Sequence, residues 1–260
     1  MKTLLTSALV AAGLFSFAVS AGAAPLKIGV SAGPYGEILE FTAKIAAKEG
    51  LDAKVIEFTD WNMPNAALQA GDIDANNFQH QPFLDNQIKQ RGYEIVPVAK
   101  SIVVPMGIYA KKVASLADLK EGASVSIPND PTNGARALFL LAKAGVIGLK
   151  DGVGLNASAA DIATNPKKIK LVELDAAQLP RSLDDVDASV ITLNYAVLAG
   201  LTPQSALLLE DDQSKWHLIW AVRKDRTEDP AIKRFIELYR SAEVRDFIQS
   251  RFNGTIIPTW

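Results

Sequence analysis

The sequence predicts an α/β protein of two lobes with a ligand cleft between them. Three observations predict it. Strand-like and helix-like segments alternate along the chain, which implies mainly parallel sheets covered by helices. The alternation starts twice, at Leu26 and again at Ser124, and so implies two half-size sheets. An apolar leader with a charge-free run precedes the first strand.

The leader comes first. Lys2 is its single charge, Leu4 to Val19 is a charge-free and mostly apolar run, and Ala21-Gly22-Ala23 follows. That is the order of a secretory signal, with cleavage expected after Ala23. The run is short for a membrane span. The chain has 260 residues and no cysteine. The absence removes disulfides, thiolate metal sites and a lipid carried on cysteine. The chain is therefore expected free in the periplasm, not lipid-anchored. The formal net charge of −2, without a basic block, argues against nucleic acid as a partner.

The elements follow in order. Leu26 to Val30 reads as a strand, Tyr35 to Glu49 as a helix stopped by Gly50, and Ala53 to Phe58 as a second strand. Pro64 suits the first turn of a helix ending near Gly71. Ile73 to Asn76 reads as a third strand, Phe83 to Gly92 as a helix, and Ile95 to Ala110 as an extended stretch. The second series has strands at Ser124–Ile127, Ile169–Leu174, Ala188–Thr192 and Ser205–Leu209, with a helix from Gly134 to Ala144. Leu218–Val222 is a late strand, and Pro230 to Phe252 reads as two helices broken near Ser241. The expected division is 24–106 plus 215–260 for the first lobe and 107–214 for the second. Crossings are expected near Val103–Gly107 and Trp216–Ala221. In such folds ligands sit at the carboxyl ends of the strands.

Two constellations point at that cleft. Pro128-Asn129-Asp130-Pro131-Thr132-Asn133-Gly134 leaves a strand and opens a helix, where Thr132 or Asn133 can cap and free N–H groups favour an anion. Arg136 is expected in the first helical turn, where a cation opposes the helix dipole. It could clamp a carboxylate with its two-pronged guanidinium, or turn outward from a capped helix. Phe78-Gln79-His80-Gln81-Pro82-Phe83 follows the third strand and Trp61 follows the second. Their rings could line an apolar pocket or pack in the core.

Metal and catalytic signatures are missing. His80 and His217 are the only histidines and lack ligand spacing, and the acidic run Asp184-Asp185-Val186-Asp187 reads as a solvated face. No nucleophile elbow or phosphate loop is present. A binding protein is expected, with no enzyme activity, metal or cofactor; an enzyme on a two-lobed α/β fold is the reading of another class.

Several longer motifs then carry a family likeness. They are Ser31-Ala32-Gly33-Pro34-Tyr35-Gly36-Glu37-Ile38, the run from Gly71 to Leu84, Pro128 to Asn133, Lys150 to Leu155, Gln178 to Leu183, Asn194-Tyr195-Ala196 and Phe252-Asn253-Gly254. The chain resembles the NlpA-type methionine-binding proteins over essentially all of residues 24–260. The resemblance implies a two-lobed periplasmic-binding-protein fold that closes on methionine or a close analogue. It implies delivery to the permease of an ABC importer, by a monomer. By the same resemblance Arg136 clamps the ligand carboxylate, Trp61, Phe78 and Phe83 wall the side chain, and His80 bonds across the cleft. Thr192 and Asn194 border the head group.

The chain departs from that family at telling places. The family usually has Tyr at Trp61, often Tyr at Phe83, Asn at Thr192 and Asn at Leu218, which has His217 beside it. Most members also carry a lipid-bearing cysteine. The losses at Thr192 and Leu218 fall on contacts to an amino-acid head group. The expected ligand is therefore methionine or a related small amino acid, or else a different small carboxylate or amino-acid derivative.

Overall fold

The computed structural model describes residues 24–211 and 216–260. The expected signal segment and its cleavage point lie outside them. So do residues 212–215, where the expected lobe boundary falls.

The first series contains β1 (Leu26–Ser31), α1 (Pro34–Lys48), β2 (Ala53–Phe58), α2 (Met63–Ala70), β3 (Ala75–His80), α3 (Gln81–Arg91), β4 (Ile95–Lys100) and the short β5 (Ile102–Val103). The second contains β6 (Met106–Tyr109), β7 (Ser124–Pro128), α4 (Pro131–Lys143), β8 (Gly148–Leu149), β9 (Ile162–Thr164), β10 (Lys170–Leu174), α5 (Leu179–Ser182), β11 (Ala188–Thr192), α6 (Leu193–Leu198) and β12 (Leu208–Leu209). The chain then returns through β13 (Leu218–Arg223), α7 (Pro230–Tyr239), α8 (Ala242–Phe252) and β14 (Ile257–Pro258).

Two five-stranded sheets result, in the orders β2-β1-β3-β13-β4 and β10-β7-β11-β6-β12. Both are mixed, where mainly parallel sheets were expected. β1, β2 and β3 run parallel, as do β7, β10 and β11. β13 is antiparallel to both neighbours, and so is β6. The reason is topological. β6 and β13 are the strands that receive the chain from the opposite sheet. A chain arriving at the cleft must run away from it, against strands whose carboxyl ends face it.

Each sheet is covered on both faces. β13 shows the consequence, with Leu218, Trp220 and Val222 in one core and Ile219 and Ala221 in the other. Alternating side chains of a doubly covered strand are all apolar, so the sequence reads as a continuous run. The first core holds α1, α7 and α8 through Ile38, Leu39, Phe235 and Ile248. The second holds α2 and α3 through Leu68 and Leu84. In the other sheet Val125, Ile127 and Val190 pack under α4, while Ile191 faces Leu179, Leu183 and Tyr195. Burying each of the larger aliphatic side chains contributes about 1.5–3 kcal/mol.

Several expected positions shift. The third strand runs from Ala75 to His80, so Phe78, Gln79 and His80 belong to the strand and not to a loop after it. Its buried Asn76 and Gln79 resemble loop composition, but both are bonded to Asn65. Asn77 is likewise bonded to Ser101, which meets the Tyr239 hydroxyl. Helix α4 starts at Pro131, and its cap is Asp130, which accepts from the Asn133 N–H at 2.9 Å. Thr132 and Asn133 stand inside the first turn, and Arg136 in the second. The expected strand from Ser205 shortens to Leu208–Leu209. Leu218 to Arg223 is a full strand of the first sheet, so the second crossing precedes it. In the acidic run, Asp184 pairs with Lys111, and Asp187 accepts from the Ser124 backbone N–H.

Candidate functional site

The carboxyl ends of five strands meet between the sheets. β1 leads to Tyr35, β2 to Trp61, β3 ends at His80, β7 leads to Asn133 and Arg136, and β11 ends at Thr192 just before Asn194. These residues, with Phe78, Gln79, Phe83, Val104 and Leu218, line one small cavity. All seven residues expected at the site are brought together there. Tyr35, Gln79, Val104 and Asn133 are additional. Tyr35 and Asn133 stand in quoted motifs, at the starts of helices that follow strands, and that position was the available signal. His217 is not on the wall, whereas Leu218 is.

The apolar wall is aromatic. Phe83 meets Phe78 edge-on at 5.9 Å and Trp61 at 6.2 Å between ring centroids. Trp61 also stands 5.2 Å from Tyr195 of α6, which follows the other sheet's β11. Such edge contacts fix the rings in place and leave the faces of others open to a ligand tail.

His80 is a structural link as much as a wall. Its Nδ1 accepts from the Phe83 N–H at 3.1 Å and caps α3. Nε2 must then carry the proton, and it donates across the cleft to Asn133 Oδ1 at 3.1 Å. Burial, with a smaller push from the Arg136 charge, lowers its pKa to about 3. The imidazole is therefore neutral at pH 7. Asn133 is held in turn by Asp130, whose carboxylate accepts from the Asn133 side-chain amide at 3.1 Å. Burial raises the Asp130 pKa, opposed by those bonds.

Two more contacts cross the cleft. The Tyr195 hydroxyl donates to the Thr59 carbonyl at 3.2 Å, and the Tyr35 hydroxyl to Asn194 Oδ1 at 3.5 Å. Thr192 Oγ1 also donates to Asn194 Oδ1, at 2.9 Å. Two hydroxyl donors on one oxygen fix the amide orientation. Asn194 Nδ2 is then presented as a donor, buried and without a partner. Trp61 Nε1 is in the same condition. Burial pushes the Tyr35 phenol pKa well up, against a lesser pull from Arg136.

Arg136 stands at the cleft with its two-pronged guanidinium paired from within the chain. Nε donates to Glu210 Oε1 at 2.9 Å and Nη2 donates to Glu210 Oε2. Nη2 also donates to the Val104 carbonyl at 2.8 Å, and Glu210 Oε2 accepts from the Met106 N–H at 2.9 Å. The pair is buried, with 2% and 11% of the two side chains exposed. Among the described residues only Nη1 is left without a hydrogen bond. Trp216 stands against the guanidinium, 5.7 Å from its carbon to the ring centroid. Glu210 was not expected at all. It lies 74 residues from Arg136, in a segment with no local sign of function.

Two sheets opening at their strand ends onto a shared, aromatic-walled cleft define a two-lobed substrate-binding protein. The chain belongs to the NlpA lipoprotein family, whose pattern matches residues 26–260. It is 46% identical to the D-methionine-binding lipoprotein MetQ of Salmonella typhimurium, over 90% of this chain and 88% of that one. It is similar to a solved nutrient-binding protein from Burkholderia cenocepacia bound to methionine, at 50% identity and a TM-score of 0.86, covering 90% and 100% of the two chains. An ABC-transporter periplasmic substrate-binding protein from Coxiella burnetii has 46% identity and a TM-score of 0.86, with the same coverage.

These findings overturn one expectation. The chain was expected to be free of any lipid anchor because it has no cysteine. The family and the Salmonella relative are named as lipoproteins, which contradicts an unanchored location. A periplasmic place remains consistent with the Coxiella relative.

Proposed function

We propose that this chain is the substrate-binding protein of an ABC importer and carries methionine or a closely related small amino-acid compound to the permease. One observation carries the reading: a single cleft combines an aromatic wall with buried polar groups at the ends of the facing strands. Trp61, Phe78 and Phe83 take the side chain, where a polarisable thioether is favoured against aromatic rings. Arg136 meets the carboxylate through Nη1, supported by Asn194, with Thr192 beside them. His80 holds the lobes together across the bound ligand. Residues 24–106 with 215–260 make one lobe and 107–214 the other, save that Met106 already pairs with Thr192 in the second sheet.

The chain performs no chemistry on its ligand in this reading. The likeness to named binding proteins supports that, as does the cleft itself. His80 has both ring nitrogens engaged, and neither cleft hydroxyl, Tyr35 or Thr192, is bonded to a base. Native mass spectrometry of freshly purified protein, followed by calorimetry with L- and D-methionine and related compounds, tests the reading. A bound thioether compound released on denaturation is the expected result. Turnover of that compound, or no binding of any small amino-acid compound, would refute it.

A further inference from the structure

We infer that the head-group end of this cleft is built for a carboxylate whose α-substituent carries no positive charge, either an N-acylated amino acid or a 2-oxo acid. The inference rests on the function proposed above and narrows its ligand class. It follows from the hydrogen-bonding groups that the cleft leaves open.

The open groups are donors. Asn194 is 1% exposed, yet its Nδ2 has no partner, and Trp61 Nε1 has none either. Arg136 Nη1 adds two N–H groups without a partner among the described residues. A buried donor without an acceptor is costly, so where it stands on the cavity wall a ligand that supplies an acceptor is favoured.

The acceptors are already engaged, and none that is free carries a charge. Asn133 Oδ1 receives His80, Gln79 Oε1 receives Asn65, and the Val104 carbonyl receives Arg136. Glu210 gives both oxygens to Arg136, and one of them also to the Met106 N–H. It does not stand on the cavity wall. Among the described lining side chains the spare lone pairs are those of the Tyr35 and Thr192 hydroxyls and one each on Asn133 Oδ1 and Gln79 Oε1, all of them on neutral groups. Leu218, paired in register with His80, presents an apolar side chain beside them.

A primary ammonium brings three donors and a positive charge. It would find only neutral, already hydrogen-bonded oxygens and no carboxylate, beside an arginine. Burying it so is unfavourable. An N-acyl group brings a carbonyl for Asn194 and one N–H, which a single neutral oxygen can accept. A 2-oxo acid brings acceptors only. Either compound pairs the open donors without adding a charge that the wall cannot meet.

The test is calorimetry of the full mature chain with four compounds sharing one tail: L-methionine, D-methionine, N-acetyl-L-methionine and 4-methylthio-2-oxobutanoate. One of the last two is expected to bind at least about tenfold tighter than either methionine, the equivalent of one net hydrogen bond. Which of them wins identifies the class. Two variants check the cause. Asn194→Asp replaces the open donor with a carboxylate oxygen and should move the preference about tenfold or more toward free methionine. Leu218→Asn supplies an acceptor from the other wall and should move it the same way. Tighter binding of methionine by the unmodified protein overturns this inference alone. An unchanged preference in both folded variants also overturns it. Absence of binding by all four overturns the proposed function and this inference with it.

Discussion

Glu210 is the residue whose removal reports most on this architecture. Its carboxylate neutralises Arg136 at a position where only 2% of the arginine side chain and 11% of its own are exposed. Solvent screening is therefore weak. Glu210→Ala leaves Arg136 Nε and the Met106 N–H unpaired and strands a buried charge. Breaking a buried pair from one side costs about 3–5 kcal/mol. At about 2–4 °C per kcal/mol for a chain of this size, the melting temperature should fall by about 6–20 °C. Glu210→Gln keeps an acceptor oxygen and should fall less. A saturating carboxylate ligand would become the only counter-charge to Arg136, so it should raise the melting temperature of Glu210→Ala more than that of the parent. Differential scanning calorimetry with and without ligand measures both effects. A melting temperature for Glu210→Ala within a degree or two of the parent would refute the reasoning, because it would mean that Arg136 is not held by this partner.

Three further expectations follow from the same geometry. His80 is neutral when folded, with a pKa near 3 against 6.5 when unfolded. Its contribution to stability is full above pH 6.5 and lost as pH falls toward 3, amounting to roughly 2 kcal/mol lost by pH 5; denaturant titrations across that window should show the slope in the parent and a flatter one in His80→Gln. Asn133→Ala removes the acceptor for the buried His80 Nε2–H and one cross-cleft bond, at a cost of about 1–3 kcal/mol to the closed form; small-angle scattering should show a larger radius of gyration than the parent without ligand, and identical curves would count against this latch. Gly33 holds φ 104° and ψ −144°, a conformation open essentially to glycine alone; Gly33→Ala should lose about 1–3 kcal/mol in urea unfolding, and an unchanged midpoint would show that the loop relaxes freely.

Much of the fold could be read from the sequence because its signals are local. β2 spans Ala53–Phe58 as expected. The C-terminal stretch breaks at Ser241, whose hydroxyl accepts from the Val244 N–H and caps α8. Glycines close α2 and α3 in the left-handed conformation that an L side chain resists. The doubling of the strand–helix series showed two sheets. Placing residues after strands pointed Trp61, Phe78, His80, Phe83 and Arg136 at one cleft, and the family resemblance added Thr192 and Asn194; all seven line it.

What the sequence could not show depends on partners far along the chain. β3 reaches His80 because Asn65 and Ser101 satisfy its buried amides, and no local pattern distinguishes a satisfied amide from a loop residue. β6 and β13 run antiparallel because the chain enters each sheet from the cleft, a fact of topology and not of periodicity. Composition and spacing by themselves determined the alternation of elements, the two half-size sheets and the candidates Trp61, Phe78, His80, Phe83 and Arg136, while Thr192 and Asn194 came from the family resemblance. Only the tertiary structure decided that Glu210 occupies the Arg136 fork, that His80 and Asn133 join across the cleft, and that Asn194 and Trp61 are left as open donors. Helical and strand periods are written in neighbouring residues. The pairing of a buried charge or amide is a contest among groups tens of residues apart, and only the folded geometry determines which of them wins.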